Sequence, residues 1–173
     1  MTDAAANLPS PASALTEAFD LILRERMQDM PMLNPALAVE AVGFRPWQDH
    51  WLGILITPWF MNLLLMPRVR AKWQPIAAGE TRQYVFPAGV FEFIGARDPL
   101  LGDYQACSLF SPMFEFATLQ GAHDTAVASL AALFDTGSRE AGEVQRTAAA
   151  APARELSKRD FLFGQPSRAK REP

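Results

Sequence analysis

The sequence predicts an α+β fold: a two-layer sandwich with a mostly antiparallel sheet and N-terminal and C-terminal helices packed on one face. Three observations carry that expectation. Apolar residues recur at helical spacing only near the start and the end of residues 13–137. Between them lie short segments rich in valine, isoleucine and aromatics, each closed by proline, glycine or aspartate. No pattern for a helix of 10–15 residues separates consecutive strands, so there is no crossover to build a parallel sheet.

The first helix is expected over residues 13–30, where Leu15, Phe19, Ile22 and Met27 share a face, with Ser13 or Thr16 as N-cap and Pro31 as the stop. Residues 37–44 alternate and read as a strand, residues 46–49 as a turn, and residues 50–57 as a short apolar strand. Pro58 then opens a short helix over residues 59–66. Strands follow at residues 81–87, 89–96 and 104–110. Ser111-Pro112 ends the last of these, and residues 116–134 form the second helix, closed by Gly137 and weakened at Gly121 by about 1 kcal/mol relative to alanine. Residues 1–12 are expected to be disordered, residues 13–137 to form one domain, and residues 138–173 to be a weakly ordered extension with a short hydrophobic segment at 161–164.

Composition narrows the function. The chain has 173 residues, 49% hydrophobic and 20% charged, enough for one domain with a real core. Its net charge of −3 lacks the basic footprint of nucleic-acid binding. The average hides a split: residues 154–173 hold six basic and three acidic residues, leaving −6 on the rest. One cysteine excludes a disulfide framework and an all-cysteine metal site, and two histidines leave no ligand set, so no cofactor is expected. The N-terminus has no basic and apolar signal pattern, which makes the cytoplasm the expected location. The apolar run at residues 51–66 is 16 long and interrupted by Gly53, Pro58 and Asn62, short of the roughly 20 residues of a membrane span.

Residues that could carry chemistry have structural readings that weigh more. Cys107 sits in a strand pattern with nothing basic near it, so it reads as a buried thiol. His50 and His123 lie in different elements, and His123 does not face the adjacent Asp124 on a helix. No G-x-S-x-G turn accompanies Ser108 or Ser111, and no phosphate-binding glycine motif is present. Glu140 and Glu143 read as a solvated pair. Arg68, Arg70 and Lys72 before Trp73 read as a solvated or partner-facing loop. An enzyme is not expected.

The concentration of aromatics and methionine over residues 47–73 remains. Trp51, Ile54 and Ile56 read as core, whereas a helix at residues 59–66 cannot bury all its sides. Trp59, Phe60, Met61, Leu64, Met66 and Trp73 are therefore the expected partner-binding residues.

In this region ITPWFMNLLLMP (residues 56–67) is followed by FPAGVFEF (86–93), CSLFSPMFEF (107–116) and FLFG (161–164). Together these segments resemble the HybE/HupJ family of [NiFe]-hydrogenase assembly chaperones. The family motif falls on Thr57, Pro58, Trp59, Cys107, Ser108, Ser111, Pro112, Phe163 and Gly164. The resemblance implies a cytoplasmic, non-catalytic accessory protein with a two-layer α+β fold. It implies a client in the maturation of an uptake hydrogenase, foremost the iron–sulfur small subunit with its twin-arginine signal, with the large subunit as a further client. Some relatives are fused to a rubredoxin, which holds iron through paired cysteines; with Cys107 alone, this chain would need a separate rubredoxin-like partner, alongside other maturation chaperones. Nucleic-acid binding and membrane insertion are not expected. Two other readings stand beside the chaperone: a redox or oxygen-protection factor using Cys107, and a peripheral membrane-binding module using the apolar run.

Overall fold

The computed structural model describes residues 7–136 of the chain. Its core is one antiparallel sheet of six strands: β1 (Glu40–Trp47), β2 (His50–Ile56), β3 (Met61–Pro67), β4 (Thr81–Phe86), β5 (Gly89–Asp98) and β6 (Gly102–Phe110). The order across the sheet is β1-β2-β3-β6-β5-β4, so two hairpin units join where β3 pairs with β6. Helix α1 (Ala12–Ile22) precedes the sheet and α2 (Leu119–Leu133) follows it. The α+β class and the antiparallel sheet are as the sequence predicts.

The helices do not share a face. Leu15, Ala18 and Phe19 of α1 pack with Leu55, Leu64 and Met66, whereas Ala122, Ala126, Leu130 and Leu133 of α2 join Leu52, Ile54, Ile56, Leu63 and Leu65. Neighbouring residues of a strand point to opposite faces, so α1 and α2 cover opposite sides. The cause is the apolar run itself. Every residue from Leu52 to Pro58 is buried, as is every residue from Leu63 to Met66. Strands that are apolar on both faces need cover on both. By contrast β5 alternates, with Phe91 and Phe93 buried and Val90, Glu92 and Ile94 exposed.

The helix expected at residues 59–66 is a strand. Thr57 to Phe60 form a tight turn instead: Thr57 N donates to Phe60 O at 2.8 Å, and Thr57 Oγ1 accepts from Phe60 N at 3.0 Å. The chain therefore doubles back, and β3 pairs with β2 from Ile56↔Met61 to His50↔Pro67. Pro58 opens a turn here, since proline suits the second position of a turn as well as the first turn of a helix.

Local details at the helix ends also differ. Pro11 occupies the N-cap of α1 with no side-chain cap, and Thr16 lies inside the helix with its hydroxyl bonded back to Ala12 O. The α-helix stops at Ile22 and widens into a π turn over Leu23–Met27, ahead of Pro31. In α2, Thr118 caps the first turn by accepting from Gly121 N at 3.0 Å. Within the stretch expected to be disordered, Asn7 bridges to Val69 and Leu8 O accepts from Trp51 Nε1, which fastens these two residues to the sheet. The expected extension at residues 138–173, including Phe163 and Gly164, lies outside the described residues. No helix among the described residues is long and apolar enough to cross a membrane.

A strap at residues 76–80 crosses β5 at Gly95. A side chain there would place its Cβ 2.5 Å from the carbonyl oxygens of both Ile76 and Ala77. Gly95 N donates to Glu80 O at 2.8 Å and Gly95 O accepts from Gly79 N at 3.0 Å. Because backbone rather than a flexible side chain must yield, Gly95→Ala is expected to destabilise the domain by about 1–3 kcal/mol, measurable as a lower urea midpoint with an unchanged slope.

Candidate functional site

Two of the motif segments, residues 56–67 and 107–116, are joined by a buried asparagine at one end of the sheet. Asn34 N donates to Pro58 O at 2.8 Å, fastening the turn between β2 and β3. Its side-chain Nδ2 donates to Met113 O at 2.9 Å and to Phe116 O at 2.7 Å, fastening the loop between β6 and α2. Its Oδ1 accepts from Ala36 N and its own carbonyl from Leu37 N, which shapes the entry into β1. Asn34 is 7% exposed. An amide supplies two donors and an acceptor on one rigid plane, which no charged or aliphatic residue reproduces.

Around this clamp lie the groups that a partner could touch. Trp59 and Phe60 are half-buried and pack against Phe19 of α1, with ring centroids 6.4 and 5.8 Å away. Phe114 is 58% exposed, and Met30 and Met32, on the loop leading to Asn34, are 42% exposed. Ser108, Ser111, Pro112, Phe114 and Glu115 line a cleft of about 370 Å³, and the Ser111-Pro112 bond is cis. Beneath it, Phe110 meets Phe116 edge-on at 5.1 Å, and Met113 is fully buried. An apolar rim on a pinned loop base can receive apolar side chains without reorganising.

Of the expected partner-binding residues, Trp59 and Phe60 belong to this rim. Met61, Leu64 and Met66 do not: all are below 5% exposed because the segment is a central strand with both faces covered. The turn sends Trp59 and Phe60 outward and Met61 and residues 63–66 inward. Trp73 lies at the opposite end of β2, about 20 Å away at some 3.3 Å per residue. There it meets His50 edge-on at 5.7 Å, beside Trp47 and Tyr84. That cluster reads as packing: Trp47 stacks on Phe86 at 4.3 Å, and Tyr84 OH donates to the buried Gln105 at 2.6 Å.

The motif residues divide in the same way. Thr57 and Pro58 are buried turn-formers, whereas Ser108, Ser111 and Pro112 are exposed at the cleft. Cys107 is 1% exposed and pairs across strands with Leu63, in the core on the α2 side. Asn34, Phe114, Met30 and Met32 escaped the sequence reading, because each lies in a loop with no periodicity. The available signal for Asn34 was its place between Pro31 and Pro35 in PMLNP, a turn-rich segment. His123 pairs with Glu40 at 2.7 Å rather than with the adjacent Asp124, tying α2 to β1. Of the basic residues near Trp73, Arg68 donates to Gln48 O and Lys72 pairs with Asp49 at 3.2 Å. Among the described residues no cluster of histidine, cysteine or carboxylates could hold a metal ion.

Asn34→Asp retains the shape but turns two donors into acceptors facing carbonyl oxygens. It is expected to cost about 2–4 kcal/mol in chemical denaturation. At the other end, burial of the ring and the nearby Arg82 hold His50 below the usual imidazole value, against the pull of Asp49 and the Trp47 backbone. The folded state then binds fewer protons than the unfolded chain, so stability falls as pH drops below about 6.5 and stops falling below the folded-state pKa. His50→Phe is expected to lose less stability than the parent between pH 7.5 and pH 5.5, as read from urea midpoints.

Comparison with known proteins places this geometry. Residues 10–164 match the family model described as "[NiFe]-hydrogenase assembly, chaperone, HybE". The chain is 39% identical over 168 residues to "Hydrogenase expression/formation protein HupJ" of Bradyrhizobium diazoefficiens, covering 95% of this chain and 96% of that one. It is 41% identical over 127 residues to "Probable rubredoxin HupJ" of Rhodobacter capsulatus, covering 73% of this chain but only 46% of that protein. The solution structure of HybE from Escherichia coli superposes with a TM-score of 0.55 at 22% identity, over 100% of this chain and 94% of that one, and so shares the fold.

Proposed function

The chain belongs to the HybE family of [NiFe]-hydrogenase assembly chaperones, which are not catalytic enzymes, and from that premise we propose that it holds an immature uptake-hydrogenase subunit until cofactor insertion and assembly are complete. The client is the iron–sulfur small subunit with its twin-arginine signal, the large subunit being a further client, and the work is done in the cytoplasm. The observation that carries this reading is the apolar rim at the sheet end, where Trp59, Phe60 and Phe114 are presented on loops pinned by Asn34.

The chemistry of such a client suits the rim. A twin-arginine signal places basic residues ahead of an apolar helix. Large, partly exposed aromatics and methionines accept apolar helices of varied sequence because they adapt their contacts. The −6 carried by residues 1–153 favours approach of the arginines through long-range attraction, an effect that salt weakens. The name "Probable rubredoxin HupJ" of one relative adds a rubredoxin-like protein to the proposed partners. A redox role for Cys107 has less support, since the thiol is sealed in the core.

Trp59→Ala combined with Phe114→Ala is expected to reduce co-purification of the small subunit at least tenfold, the loss of two aromatic contacts of about 1 kcal/mol or more each. Phe114→Ala alone, at a side chain 58% exposed, should leave the melting temperature nearly unchanged and still lower capture, which separates client contact from the packing of Trp59 on Phe19. Capture at the parental level would overturn the rim as the client site. Equal capture of a small subunit lacking its signal would overturn the signal as the recognised element.

A further inference from the structure

Among the described residues, one half of a sheet face carries no helix. On that side α1 covers β1, β2 and β3, and Leu101, Tyr104 and Ala106 still pack against its cluster. Beyond them β4 and β5 present Val85 at 65% exposure, Val90 at 41% and Ile94 at 49%. Val85 and Val90 are cross-strand partners, and Ile94 follows Val90 on the same face with Glu92 between them. An apolar patch of this kind marks a contact surface. It lies on an outer hairpin whose edge strand, β4, has no neighbour on its far side among the described residues.

We propose that this patch is the docking site of the chain's own apolar island at residues 161–164, with Phe161, Leu162 and Phe163 seated against Val85, Val90 and Ile94. Where α2 ends is the first argument. Leu133 O accepts from Ala88 N at 3.1 Å, and Phe134 meets Phe86 edge-on at 6.1 Å. The chain is thereby delivered to the β4–β5 turn, beside Val85 and Val90.

Reach is the second argument. From Thr136 to Phe161 there are 25 residues, and a random chain of that length has its ends roughly 25–30 Å apart, enough to pass round the end of the hairpin to its other face. Charge is the third. Lys158 and Arg159 precede the island within a segment of six basic and three acidic residues, and Glu92 stands exposed at the centre of the patch. Finally, the family match runs on to residue 164, past the end of α2 and through the island.

The test compares methyl NMR spectra of the full chain and of a chain truncated after residue 158. Truncation should shift the Val85, Val90 and Ile94 methyl resonances and leave Val127, exposed on α2, in place. Phe161→Ser with Phe163→Ser in the full chain should reproduce those shifts, separating side-chain docking from loss of tail charge. Methyl resonances unchanged by both alterations would overturn the proposal. Shifts that follow protein concentration rather than truncation would assign the patch to a second copy. Shifts that arise only when the hydrogenase small subunit is added would assign it to the client, and either result overturns the intramolecular seat.

Discussion

The two-sided burial of β2 and β3 is the constraint on which the rest of the molecule depends. Leu52, Ile54, Ile56, Leu63 and Leu65 face α2, while Leu55, Leu64 and Met66 face α1. At roughly 25 cal/mol per Å² of apolar surface removed from water, a hairpin of this composition gains most when both faces are covered. That demand places one helix on each side and sets the register in which β6 can join β3. It also explains Gly53, where a Cβ would stand 2.4 Å from the Phe44 ring that closes the α1 side.

The turn that makes the hairpin possible also makes the site. Thr57 satisfies the turn's backbone with both its amide and its hydroxyl, so Pro58 O is left facing Asn34. One buried asparagine, through its backbone and its side chain, then ties three loops into a single base. Loops are ordinarily the adaptable part of a fold, and here their backbones are held while their large side chains stay partly in water. A protein that receives an incompletely folded client benefits from that division, because little ordering remains to oppose binding.

Several elements were legible in advance because their chemistry is local. The alternation of VFEFIGA, the isolated helical stripe of Leu15 and Phe19, and the burial of Cys107 each follow from period and composition. So did the family, from short segments spread along the chain. The mistaken element was the one with no period: MNLLLM reads equally as a buried helix turn or a buried strand, since a continuous apolar run carries no face information. Its consequence was to count Met61, Leu64 and Met66 as surface, when these are buried and Trp59 and Phe60, at the turn, retain exposure.

By itself the sequence determined the fold class, the antiparallel pairing and the kinship with hydrogenase assembly chaperones, because these rest on residue types and short-range spacing. Only the tertiary structure decided that the helices lie on opposite faces, that Asn34 gathers residues more than eighty positions apart, and that Phe114 and Met32 join Trp59 at one end. Those are matters of long-range geometry. A hydrogen bond between Asn34 and Phe116 leaves no trace in the local pattern of either segment, and the side of a sheet that a helix covers is settled by which surfaces remain bare once the strands have paired.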